Sequence, residues 1–391
     1  MYPHQRERLT EALAAHRAAA LVGTTPANIA YLTGFRSVSR LVYPEAAALA
    51  VMAPAGTALI VPTIDTPAVA DGDVAVDHVV PYGAFVFDYA AHPGDVGTRA
   101  REWAARRAAS PGAALRAALD ALGVGTGTIA LDESGVTAVA AREIGAALAG
   151  RTVVDGAAAL LEARQVKGPW EIEALERALI ATEEALNAVV QTLKPGATER
   201  EAVGLFEAEV RRRGAEPCCP LITFGPHTAY PAVPSSDRVL RNGDLVRLDV
   251  GCTWQGYHAD VTRTAVAGAP EPRQEAVFDA VAAGLDVAIA AARPGAIARE
   301  IFAATVAAVR AAGLPGYDRH HVGYGIGLDA RESPTIDADS TVALEAGMVL
   351  RLETPYYEHG WGGAQLKETV LVTRGGPRVM NRSRRGLLLL D

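Results

Sequence analysis

Asp249, Asp260, Glu353 and Lys367 are the positions in this chain whose types and spacing suggest chemistry. Asp249 and Asp260 stand eleven residues apart on two apolar runs, DLVRLDV and ADVTRTAV, separated by the turn-like GCTWQGY. Glu353 follows in VLRLET and Lys367 in AQLKETVLV. Three converging carboxylates around a divalent cation are a metal site. The same carboxylates around an ammonium are a different device, because the fixed charge sets their proton affinities. Lys367 is also conspicuous by rarity: of 37 basic residues only Lys167, Lys194 and Lys367 are lysine.

These residues need a scaffold, and the chain is long enough for two domains: 391 residues, half hydrophobic and 21% charged. A net charge of −8 argues against a nucleic-acid or anionic-membrane partner. No apolar stretch approaches the ~20 residues that span a bilayer. The charged N-terminal stretch reads as an amphipathic helix, so a cytoplasmic protein is expected. Cys218, Cys219 and Cys252 offer neither a disulfide framework nor zinc-ribbon spacing, and a nucleophilic role for Cys218 or Cys219 is disfavoured.

Residues 1–160 alternate short apolar runs (AALVG, AAALAVMAP, TALIVP, TIALD) with helical segments at 111–122 and 136–149, the pattern of a smaller α/β domain. Residues 161–391 form the second domain. PWEIEALERALIATEEALNAVVQTL starts on Pro169 and is closed by KPG. TEREAVGLFEAEVRRRG opens with the capping box Thr198 to Glu201 and ends at Gly214. Two more helices, near 271–292 and 297–313, separate the Asp-bearing hairpin from the last strands. The expected class is α+β, with the carboxylates on the concave face of an antiparallel sheet.

NIAYLTGF, VKGPWEIEALERA, GPHTAYPAVPSSDRVLRNGDLVRLDVG, HADVTRT, GYGIGLDARESP, LEAGMVLRLETPYY and GGAQLKETVLVT occur in that order. In them the chain resembles the creatinase and aminopeptidase P (Xaa-Pro peptidase, prolidase) family over nearly its whole length. The resemblance implies a pita-bread C-terminal domain behind a creatinase-like N-terminal domain. Metal-dependent members hold two divalent ions with two Asp, one His and two Glu. Asp249, Asp260 and Glu353 match three of those positions, whereas Tyr324 stands at the His and Lys367 at the last Glu. The histidines often found near the chemistry correspond to Ala232 and Arg331. Divalent ions need several anionic or imidazole donors, and a tyrosine with an unperturbed pKa of ~10 is a poor substitute. No metal is therefore expected. If one binds, Asp249, Asp260 and Glu353 would hold it weakly, as Mn, Co or Zn.

Tyr324-Gly325 and Arg331-Glu332 resemble creatinase, which works without metal. That resemblance implies a homodimer in which Arg331 and a partner's Arg40 grip a substrate carboxylate, the N-terminal domain completing the partner's site. Creatinase's catalytic His and Glu would fall at Ala232 and Thr262, so its proton-transfer scheme does not carry over. The expected activity is hydrolysis of a C–N bond in a small, carboxylate-bearing amino-acid-like substrate, with a lyase kept open. Glu353 or Asp260 would be the general base. Lys367 and Tyr324 would be hydrogen-bond donors, Asp249 a supporting carboxylate and His320 a substrate-facing group. His227 and His258 are weaker candidates. Two alternatives stay open: a metal-dependent Xaa-Pro aminopeptidase or dipeptidase with substituted ligands, and a non-catalytic binding protein on the same fold.

Overall fold

The computed structural model describes residues 2–72 and 74–390. The chain divides into two compact units, Met1–Arg164 and Gln165–Asp391. In the first, a six-stranded sheet runs β4-β3-β2-β1-β5-β6. Its strands are β1 (Ala20–Gly23), β2 (Leu49–Ala53), β3 (Gly56–Pro62), β4 (His78–Tyr82), β5 (Ile129–Leu131) and β6 (Val153–Asp155). β1, β2 and β3 pair antiparallel, and the outer strands add parallel. The central strands are buried on both faces, which is why they read as continuous apolar runs rather than alternating ones. Helices Pro111–Ala121 and Ala138–Ala147 supply Leu115, Leu119 and Ile144 to this core.

The second unit carries the expected long helices. Pro169–Thr192 starts where the Glu171 carboxylate accepts the Gly168 N–H at 2.9 Å. Glu199–Arg212 is capped by Thr198, whose hydroxyl accepts the Glu201 N–H at 3.2 Å. Helices Pro272–Ala291 and Ala298–Ala311 pack on each other over an apolar core.

Two sheets hold the site. The first runs β17-β9-β8-β7, with β7 (Glu216–Phe224), β8 (Leu245–Trp254), β9 (Tyr257–Ala267) and β17 (Leu388–Leu390). The second runs β11-β10-β12-β15-β16, with β10 (Gly323–Gly325), β11 (Glu332–Thr335), β12 (Val349–Glu353), β15 (Lys367–Thr373) and β16 (Gly376–Val379). A short ribbon of β13 (Tyr356–Glu358) and β14 (Gly362–Ala364) joins β12 to β15. The β8–β9 hairpin turns through Gln255 and Gly256, both at positive φ (50° and 83°). That two-residue turn matches the strand twist and sets the register. Among the described residues no helix is long and apolar enough to cross a membrane.

Candidate active site

Strand periodicity collects the side chains. In the second sheet Glu353 lies opposite Lys367, and Arg351 opposite both Tyr324 and Thr369. Arg351 and Glu353 are two apart on β12, so Tyr324, Arg351, Glu353 and Lys367 share one face. In the first sheet Asp249 pairs with Thr262, and Gly251 with Asp260, which places both aspartates on one face. Gly251 leaves that face open, since a Cβ there would lie 2.2 Å from the Ala259 carbonyl oxygen. The two faces meet, because β9 packs against β15.

Lys367 sits at the centre. Its Nζ donates to Asp249 Oδ1 at 2.6 Å and to Asp260 Oδ1 at 3.1 Å, and stands 3.8 Å from Glu353 Oε2. Arg351 is a second cation in the same cluster. Its Nη1 contacts Asp260 Oδ2, and its Nη2 lies 3.4 Å from Glu353 Oε1. The Arg351 guanidinium stacks 4.0 Å from the Tyr324 ring centroid, and Arg331 approaches the same ring at 5.0 Å. The oxygens facing Lys367 have further donors: Thr262 donates to Asp249 Oδ1 at 2.8 Å, and Gln365 Nε2 to Glu353 Oε2 at 2.9 Å. Gln365 is itself held by the Tyr357 hydroxyl at 3.0 Å. Fully buried Arg247, two residues before Asp249, donates to the Thr228 and Tyr230 carbonyls and so pins the adjoining loop.

The three carboxylates are not equivalent. Burial alone would raise all three, but at Asp249 the charges of Lys367 and Arg247 overcome it and hold the acid down at about 2. Glu353 is also lowered, burial being outweighed by Arg351 and Lys367. Asp260 goes the other way: burial, with the like charges of Asp249 and Glu353, pushes it up to about 7 against the pull of Lys367. Arg351, which touches Asp260, pulls in the same downward sense as Lys367. Asp260 is also the most accessible, its side chain 19% exposed against 11% for Asp249 and 7% for Glu353. Lys367 is raised despite burial and the repulsion of Arg351, because three carboxylates surround it.

His320 is exposed, and the neighbouring His321 turns inward, its Nδ1 3.4 Å from Glu353 Oε1 and its ring against Tyr324. Burial lowers the pKa of His321, with Glu353 opposing. Arg40 does not present a free fork for a substrate: its Nη1 and Nη2 donate to the Thr24 and Gly135 carbonyls of its own unit at 2.9 and 2.7 Å. Tyr324 contributes its ring face as a platform for two guanidinium groups. His227 is held by Glu199 at 3.1 Å, and His258 Nδ1 lies 3.3 Å from the Gly327 carbonyl oxygen. Arg351 escaped the motif reading, although VLRLE places it on the Glu353 face by simple alternation.

A two-ion centre does not fit this donor set. Lys367 and Arg351 carry fixed positive charge among the carboxylates that would have to bind the metal, and Tyr324 stands where an imidazole would be needed. Among the described residues no group of three or more His, Cys, Asp or Glu side chains is arranged to hold a metal ion.

Residues 173–374 match the metallopeptidase family M24, and residues 5–166 match the creatinase/prolidase N-terminal domain. The chain belongs to this creatinase and aminopeptidase P family, with the pita-bread fold behind a creatinase-type N-terminal domain. It is 32% identical over 227 residues to a Xaa-Pro dipeptidase of Pyrococcus furiosus, covering 58% of this chain and 65% of that one. It is 35% identical over 229 residues to a probable dipeptidase PepE of Mycobacterium tuberculosis, covering 58% of this chain and 61% of that one. The matches thus span less than two thirds of either relative. The crystal structure of dipeptidase PepE from Mycobacterium ulcerans superposes over 100% of this chain and 99% of that one, with a TM-score of 0.81 and 27% identity. A prolidase from Thermococcus sibiricus shares the fold at a TM-score of 0.83 and 20% identity, over 100% of both chains.

Proposed function

We propose that the protein is a hydrolase of a C–N bond in a small, carboxylate-bearing amino-acid-like substrate, working without a bound metal ion. The observation that carries this reading is the position of Lys367 Nζ, 2.6, 3.1 and 3.8 Å from oxygens of Asp249, Asp260 and Glu353. The ammonium offsets one of the three carboxylate charges and Arg351 offsets a second, and both supply hydrogen-bond donors, so fixed protein charge occupies the place a bound cation would take. The family, and relatives named as dipeptidases, support hydrolysis of an amide-like bond.

Asp260 is the base: it is the most accessible carboxylate, and its acidity is shifted toward neutrality. It takes a proton from water as the water oxygen attacks the carbon of the scissile C–N bond. Lys367 and Arg351 lie within reach of charge developing on that carbon's oxygen or nitrogen substituent. Asp260 then returns the proton to the leaving nitrogen, which closes the proton account. Exposed Arg331, over the Tyr324 ring, is the group suited to a substrate carboxylate. Glu353, held by Gln365 and flanked by His321, orients the cations.

A homodimer belongs to the same proposal, supported by the exposed apolar run Val38, Leu41, Val42 and Tyr43. A reducing cytoplasmic setting suits the three free cysteines.

Metal content of protein purified with manganese, cobalt and zinc present tests the reading. The expected result is well below about one equivalent, with turnover of small carboxylated amides, amidines and dipeptides unchanged by chelator. About two equivalents of one metal, with chelator-sensitive cleavage of Xaa-Pro dipeptides, would overturn it in favour of a substituted metallopeptidase.

A further inference from the structure

Cys218 and Cys219 lie beside this site in an arrangement that a regular strand does not allow. Successive strand side chains point to opposite faces, so neighbouring thiols on a flat strand stay apart. Here the β7–β8 register shifts between Cys218 and Leu221, and Cys219 adopts φ 44°, in the left-handed region that non-glycine residues rarely enter. The chain therefore departs from a flat strand at the two adjacent thiols. Register also fixes the distance to the chemistry: Cys218 pairs with Gly251, and Gly251 pairs with Asp260 on its other side. Cys218 and Asp260 therefore flank a residue without a side chain, on the face that carries the site. Cys252 is not part of this pair, because it is buried and hydrogen-bonded to the Ala178 carbonyl.

We propose that Cys218 and Cys219 are a modification site, a dithiol that hydrogen peroxide converts to an intramolecular disulfide beside Asp260. Cys219 is exposed and Cys218 half-buried. Burial, together with Cys219 and Asp260, pushes the Cys218 thiol up to about 12. Cys219, the exposed thiol of the two, is the sulfur that meets the oxidant. Its thiolate attacks one peroxide oxygen, the O–O bond breaks, and hydroxide leaves to become water, giving a sulfenic acid. The Cys218 sulfur then attacks the Cys219 sulfur. The S–O bond breaks, and the departing hydroxide takes the Cys218 proton as a second water. Two thiol hydrogens and two electrons have passed to one peroxide.

Adjacent Cα atoms across a trans peptide are ~3.8 Å apart, below the usual ~4.4–6.8 Å disulfide range. Such a disulfide is strained and readily reduced, which suits a reversible modification rather than a structural staple. Closing the ring moves the backbone that pairs with Gly251, and with it the wall of the Asp260 side of the site. The effect on turnover rests on the hydrolase reading; the thiol chemistry does not.

The test is peroxide treatment of the full chain, followed by non-reducing peptide mapping and turnover measurement. The expected product is a 218–219 peptide lighter by two hydrogens, with Cys252 still alkylated after denaturation and dithiothreitol reversing the change. Turnover should fall about 10²-fold, the scale of a 1 Å displacement in an active site. Cys219→Ser should keep basal turnover and lose its peroxide sensitivity, and Cys218→Ser is the second variant if the first fails to fold. Sulfinic acid on Cys219 alone, a disulfide between two molecules, or no reaction would overturn the modification site. Unchanged peroxide sensitivity in the variant would overturn its coupling to Asp260. Mapping reads the thiols even if no substrate is turned over, so failure of the hydrolase reading is separately visible.

Discussion

Replacing Lys367 with methionine keeps most of the side-chain volume and deletes one charge. At an effective dielectric of ~20, the separations of 2.6, 3.1 and 3.8 Å correspond to gross attractions of about 6, 5 and 4 kcal/mol to Asp249, Asp260 and Glu353. Most of that offsets the cost of taking the ammonium out of water. The expected net loss of stability is therefore the ~3–5 kcal/mol typical of a buried ion pair that loses one partner. The loss must depend on pH. Without the ammonium the folded-state carboxylate pKa values rise, so the variant holds protons that the native cluster has released. Where it holds one proton more than the wild type, stability recovers by ~1.4 kcal/mol for each pH unit of acidification. Urea unfolding between pH 5 and 8, followed by tryptophan fluorescence, reads this. Trp170, Trp254 and Trp361 lie in the second unit and only Trp103 in the first. A loss below ~1 kcal/mol at pH 7 with unchanged m, or a loss independent of pH, would refute the idea that Lys367 holds the three carboxylates together.

Turnover should rise with pH through about 7 as Asp260 loses its proton, and Asp260→Asn should lower it by roughly 10²–10⁴-fold; a profile flat from pH 5 to 8 would remove Asp260 as the base. Arg351→Met takes away a cation touching Asp260 and Glu353, so the rising limb of the pH–rate profile should move to higher pH; a move to lower pH would contradict the assigned charge balance. Glu183 accepts hydrogen bonds from Asn381 Nδ2, the Arg382 and Ser383 N–H groups and the Ser383 hydroxyl. Glu183→Ala strands those donors and should cost about 3 kcal/mol, with proteolysis near residue 382 as a second readout; a change within ~0.5 kcal/mol would show that the C-terminal segment is held by something else.

Local patterns in the chain determine the strands, the helix starts and the faces on which the charged residues stand. Alternation in VLRLE puts Arg351 beside Glu353, the Gln255-Gly256 turn fixes which residues of β8 and β9 are opposite, and Thr198 marks its own helix. These are short-range consequences of backbone geometry, so they can be read within a few residues. The order of motifs also carried the family and its fold. Only the tertiary structure decides what the charges do to one another. Lys367 reaches Asp249 across 118 positions of chain, and that contact exists only because two sheets meet face to face. The same packing turns His321 inward rather than His320, and stacks Arg351 on Tyr324. Within the first unit, tertiary packing commits Arg40 to the Thr24 and Gly135 carbonyls, and in the second the β7–β8 pairing brings a dithiol up to Gly251. The sign of each acidity shift follows from burial and from partners distant in sequence, and neither is a property of any single segment.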